Sequence, residues 1–301
     1  MPRLPAYAGG SPESPILSIL PFAFLAGCPA DAGAGLGGDS AGSTEDTASD
    51  PQDTGVDDPA VEGGPWCYTF RASGDAGGTG ESQVEQLEID MSTGVGTTWM
   101  TYGGAGVTTS FSTSGVAWNG HTFVVGYYDG NGWRWMELAP STGLATDYGG
   151  VETPWVAWSG GDYIVQYHAY PDASRYSDLA DIVADSPSGS INIRGATRFT
   201  VADGKLYGMW HSTAEMLLFD AVTGNPMGSI PLEGYNTWVW GISVFDDWMF
   251  AIDDGRQYGF ERIGWFDRGT GELIADVPVP GNVPGRRYSG LHCTTTPLAG
   301  E

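Results

Sequence analysis

The chain has 301 residues and a formal net charge of −25, from 12 Lys and Arg against 37 Asp and Glu. A balance this acidic excludes a nucleic-acid partner, whose phosphates need clustered cations, and it excludes electrostatic attachment to anionic lipid. Lys205 is the only lysine, and the acidity reads as a solubility trait that carries no functional message.

In chain order, the first element is an apolar run, Ile16–Ala26, too short to span a bilayer but of the length of a signal-peptide core. It ends in Leu25-Ala26-Gly27-Cys28, which resembles the bacterial lipobox. The resemblance implies cleavage before Cys28 and transfer of diacylglycerol to its thiol. Residues 1–27 are therefore expected to be a lipoprotein signal peptide. The leader departs from the pattern, because its only cation is Arg3, offset by Glu13. A start codon assigned too far upstream would account for this.

From Pro29 to Gly64 the chain carries nine carboxylates and no Lys, Arg or aromatic residue. Such a segment buries too little apolar surface to offset its ordering entropy, and like charges extend it. Residues 28–64 are expected to be a lipidated cysteine followed by a disordered acidic tether. Asp57-Asp58 lack the fixed spacing of a calcium loop.

The remainder, residues 65–301, contains a repeated turn. Asp90-Met-Ser-Thr-Gly94, Asp185-Ser-Pro-Ser-Gly189, Asp220-Ala-Val-Thr-Gly224 and Asp267-Arg-Gly-Thr-Gly271 share it, and Ala139-Pro-Ser-Thr-Gly143 keeps it without the Asp. Asp or Thr can bond the local backbone while Gly supplies a positive φ, so each copy is expected to join two strands. Upstream of four copies lies a second hairpin signature. It comprises Trp118-Asn-Gly120, Trp158-Ser-Gly160, Ala202-Asp-Gly204 and Phe245-Asp-Asp247, each between apolar runs. Two hairpins per unit make four strands, the order of a propeller blade. No segment of the domain has the periodicity of an amphipathic helix.

The expected fold is all-β: a β-propeller of five four-stranded blades. The first unit opens at Trp66-Cys67-Tyr68, which aligns with the second strand of other units, and the chain ends on Tyr288–Cys293, which aligns with their first strand. N- and C-terminal strands are therefore expected to share one blade and close the ring, which removes a free sheet edge. With Cys28 lipidated, Cys67 and Cys293 would lie on adjacent strands and form a disulfide; two unpaired buried cysteines are the alternative. A larger propeller with one degenerate blade, or a β-sandwich, is the second reading of the fold.

The Asp-x-x-Thr-Gly turn, with the preceding strand Lys205-Leu206-Tyr207, resembles the repeats of quinoprotein-like and WD40-like propellers over about residues 65–293. The resemblance implies a fold, since such repeats serve enzymes, scaffolds and binding modules alike. The recurring blade tryptophan and metal-bound cofactor site of quinoprotein dehydrogenases have no counterpart, so no cofactor is expected.

Loops between second and third strands and those between blades share one face of a propeller. Trp155, His168, Tyr170, Arg175, Tyr176, Arg198, His211, Trp238, Tyr258 and Arg287 are placed there by the alignment, as candidate ligand-binding residues. Aromatic and arginine side chains of this kind suit a glycan or a protein. His121, His168, His211 and His292 show no metal-ligand spacing, and no metal site is expected. No catalytic residue is assigned, and none of the hydrolase, zinc-protease or phosphate-loop motifs occurs. The expected function is therefore an exported, monomeric binding or structural lipoprotein. It would sit in the bacterial envelope, at the outer membrane, with the lipid on Cys28 as its membrane contact. The alternative is a glycan-active hydrolase or lyase, which would place two carboxylates close together in the central depression.

Overall fold

A computed structural model describes residues 64–73, 83–103, 112–128, 132–151, 154–167, 171–194, 196–210, 213–235, 238–253, 260–281 and 288–298. The expected signal peptide, Cys28 and the expected tether up to residue 63 lie outside these.

Apolar runs bounded by Gly, Asp and Asn turns fold as antiparallel strands. Blade 1 has β1 (Trp66–Ser73), β2 (Gln83–Asp90) and β3 (Val95–Tyr102). Blade 2 has β4 (Ser112–Trp118), β5 (Phe123–Tyr128), β6 (Trp133–Ala139) and β7 (Leu144–Val151). In blade 3, β8 (Pro154–Trp158), β9 (Tyr163–Tyr167) and β10 (Asp172–Tyr176) are followed by a short helix α1 (Leu179–Val183) and β11 (Gly189–Asn192). Blade 4 has β12 (Arg198–Ala202), β13 (Lys205–Met209), β14 (Glu215–Asp220) and β15 (Pro226–Pro231). Blade 5 has β16 (Val239–Phe245), β17 (Trp248–Asp253), β18 (Arg262–Asp267) and β19 (Leu273–Pro278). The final strand, β20 (Ser289–Thr294), returns to blade 1, whose order is β20-β1-β2-β3. The molecule is an all-β, five-bladed propeller closed by its two terminal strands in one blade.

Strand alternation sends successive side chains to opposite faces of a blade, so each gap between blades holds its own core. Phe123 and Val125 of β5 pack with Phe70 and Tyr102 of blade 1, whereas Val124 between them packs with Val156 and Val165 of blade 3. Similar clusters fill the gaps between blades 3 and 4 and between blades 4 and 5. The ring closes because Phe250, Ile252 and Trp265 of blade 5 pack on Leu87, Ile89 and Leu291 of blade 1.

Closure is also covalent. Cys67 and Cys293 are directly opposed across the β1–β20 ladder and form a disulfide, with Cα atoms 4.1 Å apart. Spanning 226 residues, the bond restricts the unfolded chain by about 5 kcal/mol on the chain-entropy estimate.

Five inner strands can meet at so narrow an axis because glycines stand where backbones approach. A Cβ on Gly115 would lie 2.5 Å from the Val156 nitrogen, and one on Gly241 would lie 2.7 Å from that of Leu291.

The repeated turn behaves as its chemistry demands. Asp267 Oδ1 accepts from the amides of Gly269 (2.9 Å) and Thr270 (2.7 Å) and from the Thr270 hydroxyl (2.9 Å), and Asp220 makes the matching set. The glycines at 94, 143, 224 and 271 take a positive φ. The copy at 185–189 departs from the expected tight turn. There the connection contains α1, where no helix was expected. Its N-cap Asp178 accepts the Asp181 amide at 2.8 Å, while Asp185 itself adopts a φ of 48° and receives the Tyr176 hydroxyl at 3.0 Å. Five residues are too few for helical periodicity to register in sequence.

Candidate functional site

The propeller has two ends. Hairpin turns within each blade's inner and outer strand pairs make one, the turn face. Loops between second and third strands, with the interblade connections, make the other, the loop face.

The expected ligand residues divide between the two. Trp155, Arg198 and Trp238 stand at the loop-face ends of inner strands β8, β12 and β16 or just before them. Arg198 stands at the axis, its guanidinium carbon 5.3 Å from the ring centre of Trp155 and 5.1 Å from that of Trp240. Burial lowers its pKa to about 10, so it remains charged at neutral pH. Trp238 is 43% exposed, and the same face carries exposed Trp210 and Phe260, which are not among the candidate ligand residues named from the sequence.

Arg175 and Tyr176 lie elsewhere. They belong to strand β10, not to a loop, and occupy its turn-face end. Arg175 bridges blades by donating to the Ala221 carbonyl, with Asp162 Oδ2 at 3.3 Å, and Tyr176 is fully buried between blades 2 and 3. This strand was hidden because its sequence, Asp-Ala-Ser-Arg-Tyr, offers only Ala173 and Tyr176 to the two interblade cores. His168, Tyr170, His211, Tyr258 and Arg287 lie outside the described residues.

A large cavity opens on the turn face. It is an axial funnel of about 550 Å³ walled by Trp118, Trp158, Phe245, His292 and Val244, with Asp203 and Asp246 at its rim. Sequence reading did not find it, although a signal existed. Trp118, Trp158 and Phe245 occupy one repeat position, the last residue of the inner strand before its turn. Each half-buried ring leans on its own hairpin partner: Trp118 on Phe123 (4.4 Å between ring centres), Trp158 on Tyr163 (4.7 Å) and Phe245 on Trp248 (5.7 Å).

At the rim, Arg268 Nη1 donates to Asp203 Oδ2 at 2.7 Å and to the Asp246 carbonyl, while its Nε donates to the Tyr207 hydroxyl at 2.8 Å. His292 packs near Trp118 and Phe123 with Nε2 buried and without a hydrogen-bond partner among the described residues, and burial lowers its pKa to about 4. Among the described residues, no three His, Cys, Asp or Glu side chains gather closely enough to hold a metal ion.

These features define a five-bladed β-propeller with an aromatic axis. No protein-family model matches the chain, and no curated protein matches it in sequence. Solved structures match it in shape. A structure of Myxococcus xanthus glutaminyl cyclase aligns at 11% identity and a TM-score of 0.43, over 62% of this chain and 72% of that one. A chain of a nidogen/laminin complex aligns at 9% identity and a TM-score of 0.47, over 76% and 98%. TolB from Acinetobacter baumannii aligns at 11% identity and a TM-score of 0.40, over 75% and 67%.

Proposed function

We propose that this chain is an exported, monomeric binding protein of the bacterial envelope, anchored at the outer membrane by lipid on Cys28, whose loop face takes up a protein or glycan. The reading rests on one observation. Three large aromatic side chains, Trp210, Trp238 and Phe260, are 45%, 43% and 38% exposed on the loop face of blades 4 and 5. Solvated tryptophans on one face, beside an axial Arg198 flanked by Trp155 and Trp240, have the composition of recognition surfaces. Such rings offer flat apolar area at low entropic cost to a sugar ring or to a partner's side chains. The tether at 29–64 would lift the domain off the membrane.

The full-length Cys28→Ala chain tests both halves. It should leave the membrane fraction, whereas retention there removes the anchor. The released protein, offered to envelope extracts and a glycan panel, should capture a partner that Trp210→Ser and Trp238→Ser variants lose. Undiminished capture by both variants overturns the face assignment.

A further inference from the structure

Arg198 is 8% exposed, and its guanidinium carbon lies over the indoles of both Trp155 and Trp240. Nη1 makes a long 3.3 Å bond to Thr197 Oγ1, and Nε has no acceptor among the described residues. Five other guanidiniums of the propeller have an acid: Arg71 has Glu85, Arg134 has Asp147, Arg175 has Asp162, Arg262 has Asp276 and Arg268 has Asp203. Among the described residues, no carboxylate pairs with Arg198.

Leaving a buried cation uncompensated is strongly unfavourable. Two cation–π contacts offset only part of that and leave the Nε hydrogen unsatisfied. The geometry therefore calls for a negative acceptor in the plane of the guanidinium. Beside it lies the neck of the axial channel, a void of about 10 Å³ bounded by Gly115, Trp155, Phe199, Gly241 and Leu291. A void of that size has room for the centre of about one water-sized sphere. Size excludes a carboxylate or phosphate, which needs several atoms' room, and leaves a monatomic anion as the negative acceptor, seated with a small outward adjustment of the neck.

We infer that the axial neck is a halide site, filled by chloride, in which Arg198 Nε–H is the charged donor. The acidic chain repels anions at low ionic strength, and this repulsion is screened within about 10 Å at 0.1 M salt. Occupancy should therefore need chloride in the range of ordinary saline.

The test uses the full-length Cys28→Ala chain. Crystals soaked in sodium bromide should show a bromine anomalous peak within hydrogen-bonding distance of Arg198 Nε. In solution the melting temperature should rise by roughly 3–6 °C per tenfold chloride once the site begins to fill. Sodium gluconate at matched ionic strength should give no such rise, and neither should chloride with Arg198→Met. Should Arg198→Met fail to fold, the bromide soak and the chloride–gluconate comparison decide the matter. A neck without bromine signal, holding water only, or equal stabilisation by chloride and gluconate, overturns the proposal.

Discussion

The hydroxyl oxygen of Ser243 accepts the amide hydrogen of Cys293 at 2.9 Å, a bond between the inner strands of the fifth and first blades. It reinforces the seam that the Cys67–Cys293 disulfide closes from the other side, and both residues are at most 3% exposed. Ser243→Ala should destabilise the domain by about 1–2 kcal/mol, since it strands a buried N–H. The double variant Cys67→Ser/Cys293→Ser should cost up to about 5 kcal/mol. Urea denaturation of the oxidised proteins reads both.

His292 gives the domain a pH dependence. Its folded pKa of about 4 lies below the ordinary 6.5, so between these values the unfolded chain binds a proton that the folded chain refuses. Stability is full above about pH 6.5 and falls as pH drops towards 4, by about 3 kcal/mol at most from this group. Melting curves from pH 7 to 4 should show that loss, and His292→Gln should flatten it over this window.

Gly115→Ala and Gly241→Ala should each destabilise by about 1–3 kcal/mol or more, because the added Cβ meets backbone that cannot rotate away. As a comparison, Gly132→Ala, whose Cβ would meet nothing within 4 Å, should be nearly neutral. Equal effects at all three positions would contradict the tight axial packing.

Asp267 is held in its carboxylate form by the Thr270 hydroxyl and amide and then by the Gly269 amide, which lower its pKa below the usual 3.8. A depressed acid stabilises the fold above its unfolded pKa and ceases to do so as pH falls through the folded one. Asp267→Ala should therefore lower the melting temperature at pH 7 and leave a smaller difference from wild type near pH 3. Thermal scans at the two pH values check the sign.

Much of the fold was legible because it repeats. Turn chemistry at Asp90, Asp220 and Asp267 marks where strands reverse, and the misfit of Trp66-Cys67 and Tyr288–Cys293 to complete units revealed the closure. Blade 3 was misread in part because its third strand is short and polar and its last connection holds a helix of one turn. The axis was less legible still. Whether Trp118 or Phe245 ends in a core or on a cavity wall depends on the radial position of its strand, which a linear pattern does not encode. The charge of Arg198 was visible, but its separation from every described acid is a property of three strands meeting.

The dependence of β1 on β20 has a consequence for biosynthesis. The chain is made from its N-terminus, so blade 1 lacks its innermost strand until residues 289–294 arrive. Any product truncated before them presents β1 as an open edge and Cys67 as an unpaired thiol. Completeness is thereby recorded in the oxidation state of one sulfur atom, which a thiol-specific label could read on the purified protein.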